Sequence, residues 1–376
     1  MIYLDNAATS GKKPEPVREA VARALRDFSV NAGRGGYAQS QRAAEEIYLC
    51  RKKLKEMFQC EDETQVVFVP SCTFAVNYVL KGVLNRGDHL IISSLEHNAV
   101  ARPALALKKS GVEIDIAEVI FGDEAATLRA FANKIKPNTK MIFTLHASNV
   151  NGHVLPIAEI GALCRSRGIL FGVDAAQSGG VLPVDMQKMQ IDYLCLAPHK
   201  GLMAPMGTGV LIARKPLPKT VVEGGTGTES LNLNPPAQLP ERLECGTLNL
   251  PGIFGISAGV DFVRRRGMQA LLRHEMEIHK ALYRGLSQIS GIRIYSPDPF
   301  RTACVPVLAF NAAQKSSEET AEYLAAHDVA VRAGLHCAPL AHRSLGTIDG
   351  GAVRLSAGWF NTLPEAARVI SLLKNM

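Results

Sequence analysis

The chain has 376 residues, of which 47% are hydrophobic and 20% are charged, and its formal net charge at pH 7 is +7. A chain of this length can form two or three compact domains. Its start, MIYLDNAATSGKKPEP, lacks the apolar stretch of a signal peptide, and no apolar run approaches the ~20 residues that a membrane-spanning helix needs. We therefore expect a cytoplasmic protein with no membrane partner.

Short β-branched runs alternate with helical patterns from about residue 66. A helical pattern comes after the first run and extends to Leu84, and another comes after the second run and extends to Leu107. A third helical pattern is IAEIGALCRSRG (157–168). This alternation predicts an α/β fold with a mostly parallel sheet covered by helices on both faces. The predicted strands are VVFV (66–69), HLIIS (89–93), MIFTLHA (141–147), ILFGVDAA (169–176), DYLCLA (192–197) and TGVLIAR (208–214).

The C-terminal part of the chain has a different pattern. A Gly- and Pro-rich interval at 223–252 predicts a long loop. After it, a helix to about Ile289 and strands at 305–310 and 329–332 predict a smaller α+β domain. Capping boxes, Ser316 with Glu319 and Thr362 with Glu365, mark the starts of two further helices.

The eight cysteines lie far apart and form no C-x-x-C pair, so we expect reduced thiols and no metal site. Most of them should pack as small hydrophobic residues, as Cys195 would inside IDYLCLA. Cys337 differs, because it lies in RAGLHCAPLAH between Gly334 and Pro339, which indicate a loop.

The net positive charge raises the question of nucleic-acid binding. The densest basic run, 264–266, ends a predicted helix and has no aromatic residues interleaved with it. We interpret it as a solvated helix end and expect no nucleic-acid partner. A basic surface can instead favour an anionic cofactor or an acidic partner protein.

Polar residues follow three of the predicted strands. Asp174 ends GVD, His199 and Lys200 follow IDYLCLA, and His97 follows HLIISS. Because ligands bind beyond the carboxyl ends of strands in such sheets, these side chains should meet at one edge. Each is weak evidence alone, but together they provide an acid, a lysine and two histidines.

This set matches the requirements of pyridoxal 5'-phosphate. The aldehyde of that cofactor needs a lysine to form a Schiff base, and its pyridine nitrogen needs a carboxylate to keep it protonated. Its phosphate needs backbone N–H groups and hydroxyls at a helix N-terminus, which 71–73 could supply after VVFVP.

With these residues in place, the chain resembles the cysteine desulfurases of the class V aminotransferase superfamily almost from end to end. The matching segments are YLDNAATS, SLEHNA, SNVNG, VDAAQSGG, PHKGLMAPMGTG, ECGTLN, RAGLHCAPL and VRLSAGWFNT. The resemblance implies a fold-type I pyridoxal-phosphate enzyme with a seven-stranded sheet. We expect a large cofactor-binding domain at 16–250 and a small domain formed by 1–15 and 251–376.

The resemblance also implies roles for individual residues around the cofactor. Lys200 would form the Schiff base, Asp174 would bind the pyridine nitrogen and His97 would stack on the ring. Asn149 and Gln177 would address the ring hydroxyl.

The expected phosphate contacts come from two parts of the family pattern. Cys72, Thr73 and His199 would bind the phosphate, and Thr247 would reach the phosphate of a neighbouring subunit, which implies a homodimer. Family members often have hydroxyl or amide residues at the positions of Cys72 and Ala197. Each replacement removes a potential hydrogen bond worth about 1–3 kcal/mol to a charged group. We expect weaker cofactor binding than in the family, or compensation by residues 224–230.

Arg354 would clamp the α-carboxylate of the substrate, with Arg332 and Asn149 assisting. In a cysteine desulfurase an enzyme thiolate attacks the sulfur of L-cysteine, so alanine leaves and a persulfide remains on the enzyme. Cys337 would be this nucleophile, with His336, Arg332 or Arg354 favouring its thiolate. The short interval from Cys337 to Arg354 is similar to that of desulfurases that pass sulfur to an acceptor protein.

Other functions remain open at this point. A selenocysteine lyase, a cysteine/cystine β-lyase or, less expected, an aminotransferase would use the same cofactor, but simple β-elimination and transamination need no loop thiol. A dinucleotide-dependent enzyme would carry G-x-G-x-x-G after an early strand, and this pattern is absent. A non-catalytic binding protein would not need Lys200 and Asp174 at one ligand. The sequence is compatible with L-cysteine and with L-selenocysteine as the substrate.

Overall fold

The computed structural model describes residues 1–33 and 35–376. The helices are α1 (Glu15–Asp27), α2 (Ala38–Phe58), α3 (Cys72–Val83), α4 (Asn98–Lys109), α5 (Glu124–Ala132), α6 (Ile157–Arg167), α7 (Leu250–Arg266), α8 (Met268–Ser287), α9 (Ser317–Ala326), α10 (Pro339–Leu345) and α11 (Leu363–Lys374). The strands are β1 (Ile2–Tyr3), β2 (Val66–Val69), β3 (His89–Ser93), β4 (Glu113–Ala117), β5 (Thr139–Leu145), β6 (Leu170–Asp174), β7 (Tyr193–Leu196), β8 (Gly209–Ala213), β9 (Ile292–Ile294), β10 (Val307–Ala312), β11 (Val329–Ala330) and β12 (Val353–Ser356).

Seven strands form the central sheet in the order β2-β8-β7-β6-β5-β3-β4. Strands β4, β3, β5, β6 and β7 pair in parallel, whereas β8 runs antiparallel to both of its neighbours. The predicted α/β fold with a mostly parallel, seven-stranded sheet is therefore confirmed.

The strands of this sheet read as continuous apolar runs because both of their faces are covered. In β2, Val66 and Phe68 belong to one hydrophobic core, whereas Val67 and Val69 belong to the core on the opposite face. The edge strand β4 differs, since its residues are mostly exposed or half-buried and begin with Glu113. A charged edge strand discourages pairing with other chains.

The C-terminal part contains a second, antiparallel sheet in the order β12-β10-β9. Strand β1, at the N-terminus, pairs in parallel with β11 and thus lies against this part of the chain. A third hydrophobic core joins these strands to α8, α9 and α11. The division into 16–250 and 1–15 plus 251–376 stays a prediction.

Most predicted elements are present with small shifts at their ends. Both capping boxes are confirmed. The strand predicted at 305–310 is β10, which begins after Pro306, a residue that has no N–H for the ladder. The loop predicted at 223–252 contains no helix or strand until Asn249 caps α7. The basic run 264–266 is the last turn of α7, as predicted.

Within the described residues, no helix is both long and apolar enough to span a membrane.

A buried ion pair connects the loop before α7 to the central sheet. Arg51 in α2 donates two hydrogen bonds to Glu244, Nη1 to Oε1 at 2.8 Å and Nη2 to Oε2 at 2.6 Å. Glu244 also accepts the backbone N–H of Phe68 in β2, and the guanidinium lies over the Phe68 ring. Removing one partner of such a pair leaves an uncompensated buried charge.

We predict that Glu244→Ala lowers the free energy of unfolding by about 3–5 kcal/mol, because the buried Arg51 loses its counter-charge. Urea unfolding followed by circular dichroism measures this difference. The matched control is Asp261→Asn, which removes the partly exposed ion pair with Lys53 and should cost less than about 1 kcal/mol. Similar losses in the two variants would contradict the prediction.

Candidate active site

The polar residues predicted to meet at one sheet edge do so. The parallel register aligns Leu145 of β5, Asp174 of β6 and Cys195 of β7, so the carboxyl ends of these strands lie side by side. A cavity of about 130 Å³ opens beyond them. Its lining includes Cys72, Thr73, His97, Asn149, Asp174, Gln177, His199 and Lys200.

Asp174 is buried at the end of β6, and its two side-chain contacts use the same oxygen. Oδ1 accepts the N–H of Ala176 at 2.9 Å and lies 3.5 Å from Sγ of Cys72. Among the described residues, Oδ2 accepts no hydrogen bond. A buried carboxylate with one anchored and one free oxygen can receive a cationic N–H from a ligand in the cavity.

Lys200 lies four residues after β7, with its backbone N–H bonded to the carbonyl of Ala197 in a turn. Burial lowers the pKa of its amine, while the negative charge of Asp174 opposes this effect. A lowered pKa increases the fraction of neutral amine, which is the form that attacks carbonyl carbons. The position and the electrostatics of Lys200 thus suit covalent attachment of an aldehyde.

His97 is the N-cap of α4, and its Nδ1 accepts the N–H of Ala99 at 3.0 Å. Burial lowers the pKa of the imidazole, and Asp174 opposes this shift. The ring is therefore neutral at pH 7, with its proton on Nε2. A neutral, fixed ring at the cavity wall suits stacking against a planar ligand.

The N-terminus of α3 also faces the cavity. Ser71 caps this helix by accepting the N–H of Phe74, and Cys72 and Thr73 form its first turn. Gly209 of β8 packs so closely that a Cβ there would overlap the carbonyl carbon of Ser71. Free N–H groups at a helix N-terminus bind phosphate.

His199 is held by the N-terminal segment of the chain. Its Nδ1 lies 3.1 Å from the hydroxyl of Thr9, and its carbonyl accepts hydrogen bonds from Thr9, Ser10 and Lys13. Burial lowers the pKa of His199 to about 4, so the ring can reach a phosphate as a hydrogen-bonding group but not as a cation. The sequence did not identify Thr9 or Lys13, because a spacing of about 190 residues carries no local signal.

Arg354 is almost fully buried and is held from two sides. Its Nη2 donates to Asp5 at 2.6 Å and its Nη1 donates to the carbonyl of Asn149 at 2.9 Å. Burial lowers its pKa, whereas Asp5 raises it. Its buried Nε has no hydrogen-bond partner among the described residues. Asp5 lies in the matching segment YLDNAATS, but no sequence pattern pairs it with Arg354.

Cys337 is exposed, whereas Cys50, Cys60, Cys164, Cys195 and Cys304 are buried and Cys72 and Cys245 are half-buried. The prediction that most cysteines pack as small hydrophobic residues is confirmed. Nη2 of Arg332 lies 3.9 Å from Sγ of Cys337, and the backbones of Arg332 and Arg354 pair. This places a cation beside the exposed thiol.

His336 does not supply such a cation. Its ring is buried, Nε2 donates to the carbonyl of Ala352 at 2.9 Å, and burial lowers its pKa to about 3. The Nη1 and Nη2 atoms of Arg354 are hydrogen-bonded to Asn149 and Asp5. Of the three residues expected to favour the thiolate, Arg332 has the required contact.

Thr247 lies apart from the other predicted residues. It lines a separate cavity of about 380 Å³ together with residues 30–33 and 226–228. Gln177, in contrast, lines the cavity at Lys200, where its Nε2 donates to the carbonyl of Ala7 at 2.9 Å. No group of three or more His, Cys, Asp or Glu residues within 1–33 and 35–376 is arranged to hold a metal ion.

Comparisons with known proteins give one consistent family. The family model described as Aminotransferase class-V matches residues 2–369. A probable cysteine desulfurase of Methanothermobacter thermautotrophicus is 30% identical, and the alignment covers 97% of this chain and 92% of that protein. The cysteine desulfurase of Yersinia pestis is also 30% identical, over 90% and 84% of the two chains.

Solved structures agree with these relatives. The apo structure of the cysteine desulfurase from Thermococcus onnurineus matches with a TM-score of 0.92 and 30% identity, covering 100% of this chain and 94% of the other. The cysteine desulfurase CsdA of Escherichia coli, in its S-sulfonic acid form, matches with a TM-score of 0.87 and 25% identity, over 99% and 94% of the chains.

We predict that a short treatment with iodoacetamide labels Cys337 before the other cysteines, because its thiol is exposed beside Arg332. Mass-spectrometric peptide mapping measures the order of labelling. Arg332→Ala should slow the labelling of Cys337 roughly two- to fivefold, the scale of an exposed charge contact. The half-buried Cys245 is the internal control. Labelling of Cys245 before Cys337, or no effect of Arg332→Ala, would contradict the prediction.

Proposed function

Because the chain belongs to the aminotransferase class-V family, we propose that it is a cysteine desulfurase that depends on pyridoxal 5'-phosphate and converts L-cysteine to L-alanine. The observation that carries this proposal is the pairing of two features. Lys200 and Asp174 line one cavity, and an exposed thiol, Cys337, lies on a loop bonded to another wall of that cavity at Asn149.

The residues of the cavity fit the proposed cofactor. The unpaired Oδ2 of Asp174 would accept the ring N–H, the neutral ring of His97 would stack on the cofactor, and the N-terminus of α3 would receive the phosphate. Asn149 and Gln177 would address the ring hydroxyl. When bound, pyridoxal phosphate supplies an electron sink for charge that develops beside the α-carbon of the substrate.

Lys200 would serve both as the attachment point and as the proton carrier. Since burial lowers its pKa, the neutral Nζ can take a proton from the α-carbon of the substrate. The same atom can return a proton to the carbon that loses sulfur.

Arg354 would bind the α-carboxylate of the substrate. Its Nε–H is buried and unpaired among the described residues, while its other two nitrogens are fixed by Asp5 and Asn149. Because Nη1 and Nη2 are fixed by these bonds, the guanidinium can present its Nε–H to a carboxylate in a defined orientation. Arg332, which is exposed and close to Cys337, would assist from the solvent side.

Cys337 would take the sulfur. Its thiolate attacks the substrate sulfur, and an S–S bond forms while the C–S bond of the substrate breaks. The electron pair of the broken bond stays on carbon, which takes a proton and leaves as alanine. The enzyme retains one sulfur atom as a persulfide, so no external oxidant or reductant is needed.

The exposed thiol also favours this reaction over the alternatives. A β-lyase or an aminotransferase would use Lys200 and Asp174 in the same way, but neither reaction would need Cys337 beside a cation. A selenocysteine lyase remains compatible, because selenium can leave without attack by a thiolate. We further propose that a persulfide on the exposed Cys337 is passed to an acceptor protein.

We also propose a homodimer in which Thr247 completes the phosphate site of the partner subunit. Within one chain, Thr247 and the cavity at Lys200 are separate. Both the Thr247 cavity and the preceding loop are accessible, and Leu231 and Leu233 of that loop are fully exposed. A second copy of the chain would account for the exposed apolar side chains.

We predict that substitutions at Lys200 and Cys337 fail in different ways. Borohydride should fix the cofactor on Lys200 in the unaltered protein, and Lys200→Ala should lose both this adduct and all turnover. Cys337→Ala should keep the visible spectrum and bind L-cysteine, yet release alanine roughly 10⁴- to 10⁶-fold more slowly, the scale for loss of a member of a catalytic triad. Absorption spectra, peptide mapping and alanine release measure these outcomes.

Cys245→Ala, which removes a thiol outside the cavity at Lys200, is the control for the second variant. Desulfuration of L-cysteine by Cys337→Ala at the rate of the unaltered protein would show that the thiol takes no part in the reaction. An adduct mapped to a different lysine would remove the basis of the proposal.

We predict a dimer in light scattering and weaker cofactor retention in Thr247→Ala, by roughly fivefold or more for a lost hydrogen bond to a charged group. Cofactor affinity from absorbance titration measures the effect. Thr64→Ala, which lines the same cavity but lies outside residues 224–230, is the control. A fully active monomer at assay concentration would refute this assembly.

A further inference from the structure

The Cys337 loop holds a backbone conformation that side-chain-bearing residues rarely adopt. His336 has φ of 48° and Cys337 has φ of 56°, so two consecutive residues other than glycine are left-handed. In this conformation the Cβ atom crowds the following carbonyl oxygen. Such a segment persists only where surrounding contacts hold it.

Each of the two strained residues is held by a hydrogen bond at its carbonyl. The His336 carbonyl accepts Nδ2 of Asn149 at 2.8 Å, and the Cys337 carbonyl accepts the backbone N–H of Asn98 at 2.7 Å. The His336 ring adds a third contact by donating to the carbonyl of Ala352 at 2.9 Å. The first contact is the one made by a side chain outside the loop.

Asn149 is itself fixed. It is 7% exposed, and its backbone carbonyl accepts Nη1 of the buried Arg354 at 2.9 Å. The orientation of its amide follows from chemistry, because a carbonyl oxygen accepts only from the NH₂ end. The amide oxygen has no hydrogen-bond partner among the described residues.

We propose that Asn149 is a positioning residue for Cys337. Its side-chain amide holds the His336 carbonyl, keeps the loop left-handed, and so keeps Sγ of Cys337 beside Arg332. The NH₂ group has two protons, of which this contact uses one, and Asn149 also lines the cavity at Lys200. Asn149 therefore connects that cavity and the thiol through one rigid amide. The catalytic meaning of this contact rests on the proposed function, but the contact itself does not.

Asn149→Asp is the most specific test of this contact, because it keeps the shape of the side chain and removes the N–H donor. Hydrogen–deuterium exchange of the full-length protein, at saturating pyridoxal phosphate, should be about five- to tenfold faster across residues 332–340, as for a lost buried hydrogen bond. Asn149→Ala removes the donor without adding a charge and should give the same result, should the aspartate variant fail to fold.

Asn151→Asp is the matched control. Asn151 lies in the same turn, is fully buried and donates Nδ2 to the carbonyl of Tyr295 at 3.3 Å, and within the described residues it makes no hydrogen bond to 332–340. This variant should leave exchange across 332–340 unchanged. Equal acceleration in both variants, or none in Asn149→Asp and Asn149→Ala, would overturn the proposal.

A double-mutant cycle separates positioning from a general loss of structure. Arg332→Ala should slow the iodoacetamide labelling of Cys337 in the Asn151→Asp background, as it does in the unaltered protein. It should have no further effect in Asn149→Asp, since the thiol no longer stays beside Arg332. Additive effects of Asn149→Asp and Arg332→Ala would overturn the proposal.

Neither measurement requires turnover of L-cysteine. If the protein releases no alanine but Asn149→Asp loosens the loop and abolishes the Arg332 effect, the positioning inference stands and the proposed function fails. If alanine is released but the loop is unaffected by Asn149→Asp, the proposed function stands and the positioning inference fails.

Discussion

The buried guanidinium of Arg354 joins three distant parts of the chain. Removing such a cation from water costs several kcal/mol unless its N–H groups and its charge are satisfied. Asp5, from the N-terminal segment, supplies the counter-charge, and Asn149, which follows β5 of the central sheet, supplies a carbonyl. The backbone of Arg354 pairs with that of Arg332, at the start of the Cys337 loop. One desolvated charge thus fixes the N-terminus, the sheet edge and the loop relative to one another.

Burial also determines which side chains around the cavity carry a charge. It lowers the pKa of His97, of His199 to about 4 and of His336 to about 3, so these rings are neutral near pH 7. Among the arginines and carboxylates at this site, Arg332 and Arg354 carry positive charge and Asp5 and Asp174 carry negative charge. Fixed charges in a poorly hydrated site act more strongly than they would in water. Neutral rings can stack or share hydrogen bonds without competing for these charges.

Sequence patterns predicted the parts of this arrangement that depend on local periodicity. The strands that end at Asp174 and precede Lys200 were recognisable as continuous apolar runs, because a parallel sheet is covered on both faces. The convergence of Asp174, Lys200 and His97 followed from the rule that strand carboxyl ends share an edge. The capping boxes at Ser316 and Thr362 were visible because all their atoms lie within four residues.

Contacts between distant segments were not predictable in the same way. The pairing of Asp5 with Arg354 spans 349 residues, and Thr9 reaches His199 across 190. The neutrality of His336 depends on burial, which no property of RAGLHCAPL indicates. The left-handed backbone at His336 and Cys337 was not predictable either. Glycine is the residue type that normally signals such a conformation, and the glycine of this loop is Gly334.

The departure from the family pattern at Cys72 has a physical interpretation in these contacts. The thiol of Cys72 turns towards Oδ1 of Asp174 at 3.5 Å, where a weak donor supports the carboxylate without neutralising it. A phosphate at this edge would then depend on the N–H groups of the α3 N-terminus, on Thr73 and on the neutral ring of His199. Residues 226–228 line the cavity of Thr247, so any compensation by 224–230 would have to act in a second subunit. Cofactor affinity and dimerisation would then be linked, because subunit association would bring the additional phosphate ligands to each site.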